Sequence, residues 1–329
     1  MSLALPPHAD PTYLAFANPF DRPLHFFGLE LVVFACFALT VHHAVSRYRA
    51  GDRYHLFQLF AIFAYGVTME MLAFNFFQNY DHGLFSIQLY HRKLPLYVTC
   101  IYIVLHYTGL ETVQRLKLGA IPEALVVGLA ICLLDVPFDI VGVDAKWWVW
   151  SATDRDLAFR WLGVPVTSFY WYLLFGAIFA LLCRGLRKRL ERRSLVAFVA
   201  LAPLVGFAVI VLGIIGFLPF HGLEALGVGA GTIVLGHALG CIAVAFLARR
   251  GAPAPASRVV TIVPVALLAW FVFVLVLLWS RGEVAEAPAK LAQIAVAGAV
   301  SLALGWLAPS LRRGRVAIDA SSKPPTLAC

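Results

Sequence analysis

The stretch ALVVGLAICLLDVPFDIVGV (residues 124–143) decides the fold class of this chain. It is apolar or glycine throughout except for Asp135, Pro137 and Asp139. Because an α-helix rises 1.5 Å per residue, a run of this length crosses the roughly 30 Å hydrocarbon core of a bilayer. The stretch therefore predicts a transmembrane helix that carries two carboxylates.

Eight further apolar stretches of near-spanning length flank it, joined by short polar segments. Of the 329 residues, 61% are hydrophobic and 13% are charged, about half the charged fraction of a soluble domain. These proportions exclude an ordinary soluble protein and predict an all-α polytopic transmembrane helix bundle of about nine spans. The expected ranges are 24–46, 55–77, 94–113, 119–142, 161–183, 195–218, 222–248, 258–280 and 290–308.

The formal net charge of +8 has a topological explanation. With nine spans, 18 of the 26 Lys and Arg residues fall on one side of the membrane, led by RGLRKRLERR (184–193). The positive-inside rule makes that side cytoplasmic and puts the N-terminus outside and the C-terminus inside. We expect a multi-pass integral protein of the cell (inner) membrane, with no nucleic-acid partner; the sequence leaves the oligomeric state open.

Polar residues divide the chain into unequal modules. Residues 24–185 carry most of the ionisable side chains expected at membrane depth, whereas residues 186–308 form an apolar scaffold. Residues 1–23 are an extracytoplasmic segment and residues 309–329 a cytoplasmic tail. In the scaffold, the small residues of GVGAGTIVLGHALG (227–240) predict close helix–helix approach, and His237 reads as a packing histidine.

Asp135 and Asp139 are the strongest catalytic candidates. A spacing of four residues places both on one helical face, unless Pro137 breaks the turn between them. Two carboxylates in a low dielectric do not both ionise readily, so one is expected to keep its proton and to serve as a general acid. The alternative is a structural ion pair with Arg92, Lys93 or Arg160.

Further polar and aromatic residues are expected to meet these aspartates on the outer side. Glu70 ends the second helix and is the candidate base. The loop at 80–93 is too polar for a span and is expected to cover an outer cavity. The candidate substrate-binding residues are Asn75, Tyr80, His82, Tyr90, His91, Arg92, Lys93, His106, Trp148, Trp150, Ser168 and Tyr170.

The histidines of the chain are potential metal ligands. The HxxxH and HxxHH clusters of membrane di-iron oxygenases are absent, and the densest group, His42 and His43 with His55, lies on the opposite side from the aspartates. The sequence therefore predicts no metal site and no cofactor.

Several motifs between residues 65 and 185 follow a distinctive order. They are Glu70, then Gly83, Phe85 and Tyr90, then LPLYV (94–98), LLDVPFDIVGV (133–143), Trp148 and Trp150, and LGVPVTSFYWYL (162–173). In this order they resemble the integral-membrane carotenoid biosynthesis proteins of the bisanhydrobacterioruberin hydratase type. Departures are Ser168 where that pattern has Asn, Trp171 where it has Gly, and a basic segment, 91–93, where it is more apolar.

The resemblance implies a lyase that adds water to a terminal isoprenoid double bond. Asp139 or Asp135 would protonate the alkene and Glu70 would activate the water. The aromatic faces of Trp148, Trp150, Phe169 and Tyr170 would stabilise the tertiary cation, the first two having a simpler reading as a membrane-interface belt.

Two other function classes stay open. A transporter, channel or lipid-binding protein would use the carboxylates and histidines to line its cavity, and a channel would need polar residues from face to face. A metal- or haem-dependent oxidoreductase would purify coloured or with stoichiometric metal.

Overall fold

The chain forms a bundle of membrane-length helices. A computed structural model describes residues 12–190, 193–248 and 254–306. Within these ranges, nine helical segments are long and apolar enough to cross a membrane. The prediction of an all-α, multi-pass bundle is confirmed; which membrane holds it, and which end faces the cytoplasm, stay predictions.

The helix boundaries follow the hydropathy pattern closely. Most differences from the expected ranges are a few residues, and the tail at 309–329 lies outside the described residues. The helices are α1 (Leu24–Arg49), α2 (Tyr54–Leu72), α3 (Leu96–Gln114), α4 (Ala120–Asp144), α5 (Val166–Leu190), α6 (Leu195–Gly216), α7 (Leu218–Ala225), α8 (Ala230–Leu247), α9 (Arg258–Ser280) and α10 (Ala287–Trp306).

Two boundaries differ for identifiable reasons. The seventh span begins at Ala230 instead of 222, because residues 218–225 form the short α7, which extends the sixth span. Pro219 lacks the backbone N–H that would continue the hydrogen bonding of α6, which favours a break at this point. The fifth span begins at Val166 instead of 161, because Arg160–Trp161 and Val164–Pro165 pair as a hairpin.

Short strands mark one end of the bundle, here called the sheet end; the opposite end, which carries the Arg- and Lys-rich joints, is the basic end. The strands are β1 (Leu14–Phe16), β2 (Tyr80–His82), β3 (Ile87–Leu89), β4 (Leu94–Pro95), β5 (Trp148–Trp150), β6 (Arg160–Trp161) and β7 (Val164–Pro165). Strand β2 pairs antiparallel with β5, with Tyr80 opposite Trp150 and His82 opposite Trp148. This register ties the loop after α2 to the loop after α4.

Helices α4 and α5 pack most closely in the first half of the bundle. A Cβ at Gly128 would lie 2.0 Å from the backbone oxygen of Leu173, so only glycine permits this approach. The glycine-rich 227–240 segment behaves differently: Gly229, Gly236 and Gly240 have no neighbour within 4 Å of such a Cβ among the described residues. These three glycines therefore do not provide a close approach; helix α8 packs on α4 and α5 through other residues of the segment, such as Val234 and Ala238.

Candidate active site

A cavity of about 70 Å³ lies at the sheet end between α2, α3, α4 and α5, beneath β2 and β5. Its volume is enough for several water molecules. We call it the carboxylate cavity. It is lined by Tyr65, Met69, Glu70, Ala73, Phe77, Asn79, Tyr80, His82, Val98, Ile101, Tyr102, Leu105, His106, Asp135, Phe138, Asp139, Trp148, Trp150, Ser168, Trp171 and Tyr172.

The two aspartates lie on one face of α4, as their spacing predicts. Helix α4 continues through Pro137, and both side chains are buried. The Ser168 hydroxyl donates a hydrogen bond of 2.7 Å to Asp139 Oδ2. Asp135 is 0% exposed and lies beside Tyr172 and Asp139, but neither of its oxygens makes a hydrogen bond of good geometry among the described residues. The pair is therefore asymmetric, because only Asp139 accepts a well-formed hydrogen bond from a side chain, that of Ser168.

The structure places the basic residues of the ion-pair alternative elsewhere. Lys93 Nζ lies 2.6 Å from Asp81 Oδ1 at the surface. Arg160 donates to the backbone oxygens of Leu157 and Ser151, and Arg92 is exposed. An ion pair with these residues therefore does not account for the buried aspartates.

Glu70 lies on the α2 side of the carboxylate cavity. Its carboxylate accepts a hydrogen bond of 2.8 Å from the Tyr80 hydroxyl, and His82 Nε2 lies 3.2 Å from its other oxygen. Helix α2 ends in a π-helical turn, Ala73–Phe77, and left-handed Gln78 turns the chain back so that β2 covers Glu70. Burial, and then the Glu70 charge, hold the pKa of Tyr80 well above its usual range. Tyr80 is thus a neutral donor to Glu70 at physiological pH.

Aromatic rings form most of the remaining wall. Trp148 and Trp150 project from β5, and their indole Nε1 atoms are buried without a hydrogen-bond partner among the described residues. His106 stacks on Tyr102, with ring centroids 5.8 Å apart, and its Nδ1 lies 3.0 Å from the Tyr102 backbone oxygen. This part of the wall offers apolar ring faces and few fixed polar partners, which suits an apolar ligand.

Some candidate residues lie outside the cavity. The Tyr90 hydroxyl donates to Asn75 Oδ1 at 3.0 Å, and the His91 ring packs on Tyr13 and Tyr90. Tyr90, His91, Arg92 and Lys93 belong to the covering loop, whereas Asn75 lies in the π-helical turn that ends α2. Their side chains do not line the cavity.

Tyr170 and Phe169 also point away from the cavity, contrary to the expectation that they face a cation. Tyr170 packs on Phe217 and Phe220, and Phe169 packs on Trp161. Residues two apart on a helix do not share a face, whereas residues four apart do. From Ser168, that spacing leads to Tyr172, which lines the cavity and which the sequence-based expectation missed. Trp171 also lines the cavity, although the sequence singled out this residue only as a departure from the family pattern.

The carboxylate cavity has a side opening between α2 and α5. Near the basic end α6 packs on α2, where Phe198 meets Phe57, but near the sheet end it has crossed to α5, where Gly213 meets Phe175. Phe77 lines the cavity and is 47% exposed, and Met69 and Trp171 are half-buried. These three partly exposed side chains frame the opening.

Comparison with known proteins gives one match. Residues 17–220 match a family model described as Domain of unknown function (DUF7802). This range contains every residue of the carboxylate cavity and ends within α7, before α8, α9 and α10. No curated protein and no solved structure matches the chain.

Proposed function

We propose that this chain, which belongs to the family described as Domain of unknown function (DUF7802), is a membrane-embedded enzyme that modifies an isoprenoid lipid by carboxylate acid–base catalysis. The reaction we propose is addition of water to a terminal double bond, as the resemblance to carotenoid hydratases implies. The observation that carries the proposal is Asp135, a fully buried carboxyl that accepts no hydrogen bond of good geometry among the described residues and shares one cavity with Asp139 and Glu70.

The asymmetry of the aspartates assigns the acid. A buried negative charge without well-formed hydrogen bonds is costly, so Asp135 suits the protonated, proton-donating form. Asp139 can carry charge because Ser168 donates to it. Asp135 would transfer its proton to the less substituted alkene carbon, which leaves a tertiary carbocation and an aspartate.

The second half of the reaction uses water and Glu70. The water oxygen bonds to the cationic carbon and loses a proton to Glu70, which gives a tertiary alcohol. The proton then returns to Asp135, so atoms and charge balance over the cycle. Tyr80 fixes the Glu70 carboxylate by a 2.8 Å hydrogen bond, which orients the base before water arrives.

The aromatic wall would stabilise the intermediate. A cation over the face of a tryptophan or tyrosine is attracted by the ring quadrupole, by about 2 kcal/mol where water is excluded. Trp148 and Trp150 lie on the wall formed by β5, and Tyr172 lies beside Asp135 and Asp139. The side opening admits the apolar chain from the bilayer, so only its reacting end needs to reach the cavity.

The test compares lipids from cells that make the wild type, Asp135→Asn or Asp81→Asn. Asp81 is the matched control, because it is an exposed aspartate at the same end of the bundle. We expect an isoprenoid heavier by one water in the wild type and in Asp81→Asn, and a rate at least about 100-fold lower in Asp135→Asn, the usual contribution of a general acid. Full turnover in Asp135→Asn, or no hydrated product in any strain, would overturn the proposal.

The side opening favours one alternative, a lipid-binding or lipid-transfer protein. Such a protein would hold a lipid in the carboxylate cavity without changing it. Mass spectrometry of lipid that copurifies with wild type and Asp135→Asn separates the two functions: an identical, unmodified lipid in both proteins supports binding, and hydrated product in the wild type alone supports catalysis.

A further inference from the structure

A second polar cluster lies at the basic end, where α1, α2 and α3 meet. His43 comes from the end of α1, His55 from the start of α2, and Glu111 from the end of α3. One ligand atom from each of these three side chains lies within 4.8 Å of the others. We call these three residues the histidine cluster.

Individual contacts in the cluster converge on one point. His55 Nδ1 lies 2.9 Å from Glu111 Oε1 and also 2.9 Å from the Tyr107 hydroxyl. His43 Nδ1 lies 2.9 Å from the same hydroxyl, and His43 Nε2 lies 3.8 Å from Glu111 Oε2. One imidazole nitrogen has either one N–H or one lone pair, so it cannot satisfy two oxygens equally well. A cation among these atoms would satisfy them together.

The surroundings orient His55 for such a role. Asp52 Oδ2 lies 3.2 Å from His55 Nε2, on the side of the ring away from Glu111. A carboxylate that holds one imidazole nitrogen and leaves the other for a metal is a recurrent arrangement around metal-binding histidines. The Asp52 charge is in turn balanced by Arg47 at 2.9 Å and Arg187 at 3.6 Å.

We propose that His43, His55 and Glu111 bind a divalent first-row transition-metal ion, with zinc as the ion to test first. Two imidazoles and a carboxylate form a ligand set that such ions prefer, and three protein ligands leave a position open for water. The side chains of His43 and Glu111 are 18% and 13% exposed, so the ion can enter from the aqueous phase at the basic end.

This site is separate from the proposed catalysis. The cluster shares no residue with the carboxylate cavity. The sequence-based prediction of no metal site did not take Glu111 and Tyr107 into account, because they lie far along the chain from the histidines. Only the packing of α3 on α1 and α2 brings them together. Their own spacing of four residues puts both on one face of α3.

The test measures metal content directly. Protein without a polyhistidine tag is incubated with Zn²⁺, desalted and analysed by mass spectrometry, and Co²⁺ is titrated while its visible absorption is recorded. We expect about one ion per chain in the wild type, and intense Co²⁺ bands that report a four-coordinate site. His55→Ala and Glu111→Gln should lose the ion.

The chain offers matched controls for both parts of the site. His42 is exposed and adjacent to His43, so His42→Ala should keep the ion. Asp52→Asn should weaken binding about 10- to 100-fold, the usual effect of losing the group that orients a ligand. Arg47→Gln removes an ion pair of Asp52 without removing its contact to His55, so it should leave affinity nearly unchanged.

Two results would overturn the proposal. One is a folded wild type that takes up no Zn²⁺ or Co²⁺ above the level of His55→Ala. The other is equal loss of metal in His42→Ala, which would indicate adventitious binding. If the ligand variants fail to fold, zinc-edge X-ray absorption of the wild type decides the matter, since a spectrum without imidazole scattering excludes these ligands.

Discussion

Helices α1–α5 and helices α6–α10 form two sets that differ in where they bury polar side chains. The two sets also differ in how far their helices are enclosed, as a comparison of α3 and α4 with α8 and α10 shows. In α3 and α4, 83% and 89% of the most apolar 18-residue stretch is buried, against 22% in α8 and 33% in α10. Of the buried polar residues in the described ranges, only Lys290 and Ser301 lie beyond α5.

The difference shows where a membrane protein can keep polar side chains. An ionisable group at membrane depth needs to face protein or a water-filled cavity. Here α3 and α4 are enclosed by other helices, so the aspartates of α4 face the carboxylate cavity. Helices α6–α10 expose mainly apolar side chains such as Val, Leu and Phe, and in the described ranges they bury few polar residues.

The largest expected effect breaks the close packing of the enclosed helices. A Cβ at Gly128 would lie 2.0 Å from the Leu173 backbone oxygen, and helix backbones cannot yield as a flexible side chain can. We expect Gly128→Ala to lower the free energy of unfolding by about 3 kcal/mol, at the upper end for overpacking. Thermal unfolding in detergent measures the change.

Gly236 in α8 is the matched control. It is also a helical glycine, but an added Cβ would meet nothing within 4 Å among the described residues. Gly236→Ala should therefore cost no stability and should raise it by up to about 1 kcal/mol, because alanine loses less backbone entropy than glycine in a helix. If both variants lost the same stability, the contrast between enclosed and lipid-facing helices would be mistaken. Loss at Gly236 alone would indicate a partner chain packed on α8.

The second effect concerns an ion pair that joins the two sets of helices. Lys290 of α10 lies 2.7 Å from the Asp144 carboxylate at the end of α4, with both side chains largely buried. Lys290→Met should cost about 2 kcal/mol, since it leaves Asp144 unpaired; a fully buried pair would cost about 3–5 kcal/mol. Unfolding in detergent at neutral pH gives this value.

The double variant sharpens the measurement. Lys290→Met combined with Asp144→Asn removes the unpaired charge, so it should recover part of the lost stability. A double variant less stable than Lys290→Met alone would show that Asp144 stabilises the bundle through contacts other than Lys290.

The sequence predicts the spans well because hydropathy and length alone determine them. Its errors lie where local geometry overrides hydropathy, at Pro219 and at the hairpin before α5. The pairing of Asp135 with Asp139 is also predictable, since it depends on spacing within one helix.

Contacts between distant segments are harder to predict. Tyr102 reaches the carboxylate cavity, and Glu111 reaches the histidines, through the packing of α3 alone. The antiparallel register of β2 with β5, which seats Trp148 and Trp150, involves two loops more than sixty residues apart. The order of the spans predicts that these loops meet at one end of the bundle, but it does not predict which side chains pair there. Only Tyr172 had a signal, its four-residue spacing from Ser168.

The smallest expected effect compares one histidine from each set of helices. His106 is buried, stacks on Tyr102 and packs on Tyr65. His237 is half-buried, with its ring edge on Tyr170. His106→Phe should cost about 1 kcal/mol, because it removes the hydrogen bond to the Tyr102 backbone oxygen. His237→Phe keeps the aromatic contact and should stay within about 0.5 kcal/mol. Unfolding curves of the two variants in one detergent resolve this difference. A larger loss of stability in His237→Phe than in His106→Phe would mean that the apolar helices also hold a polar interaction that stabilises the fold.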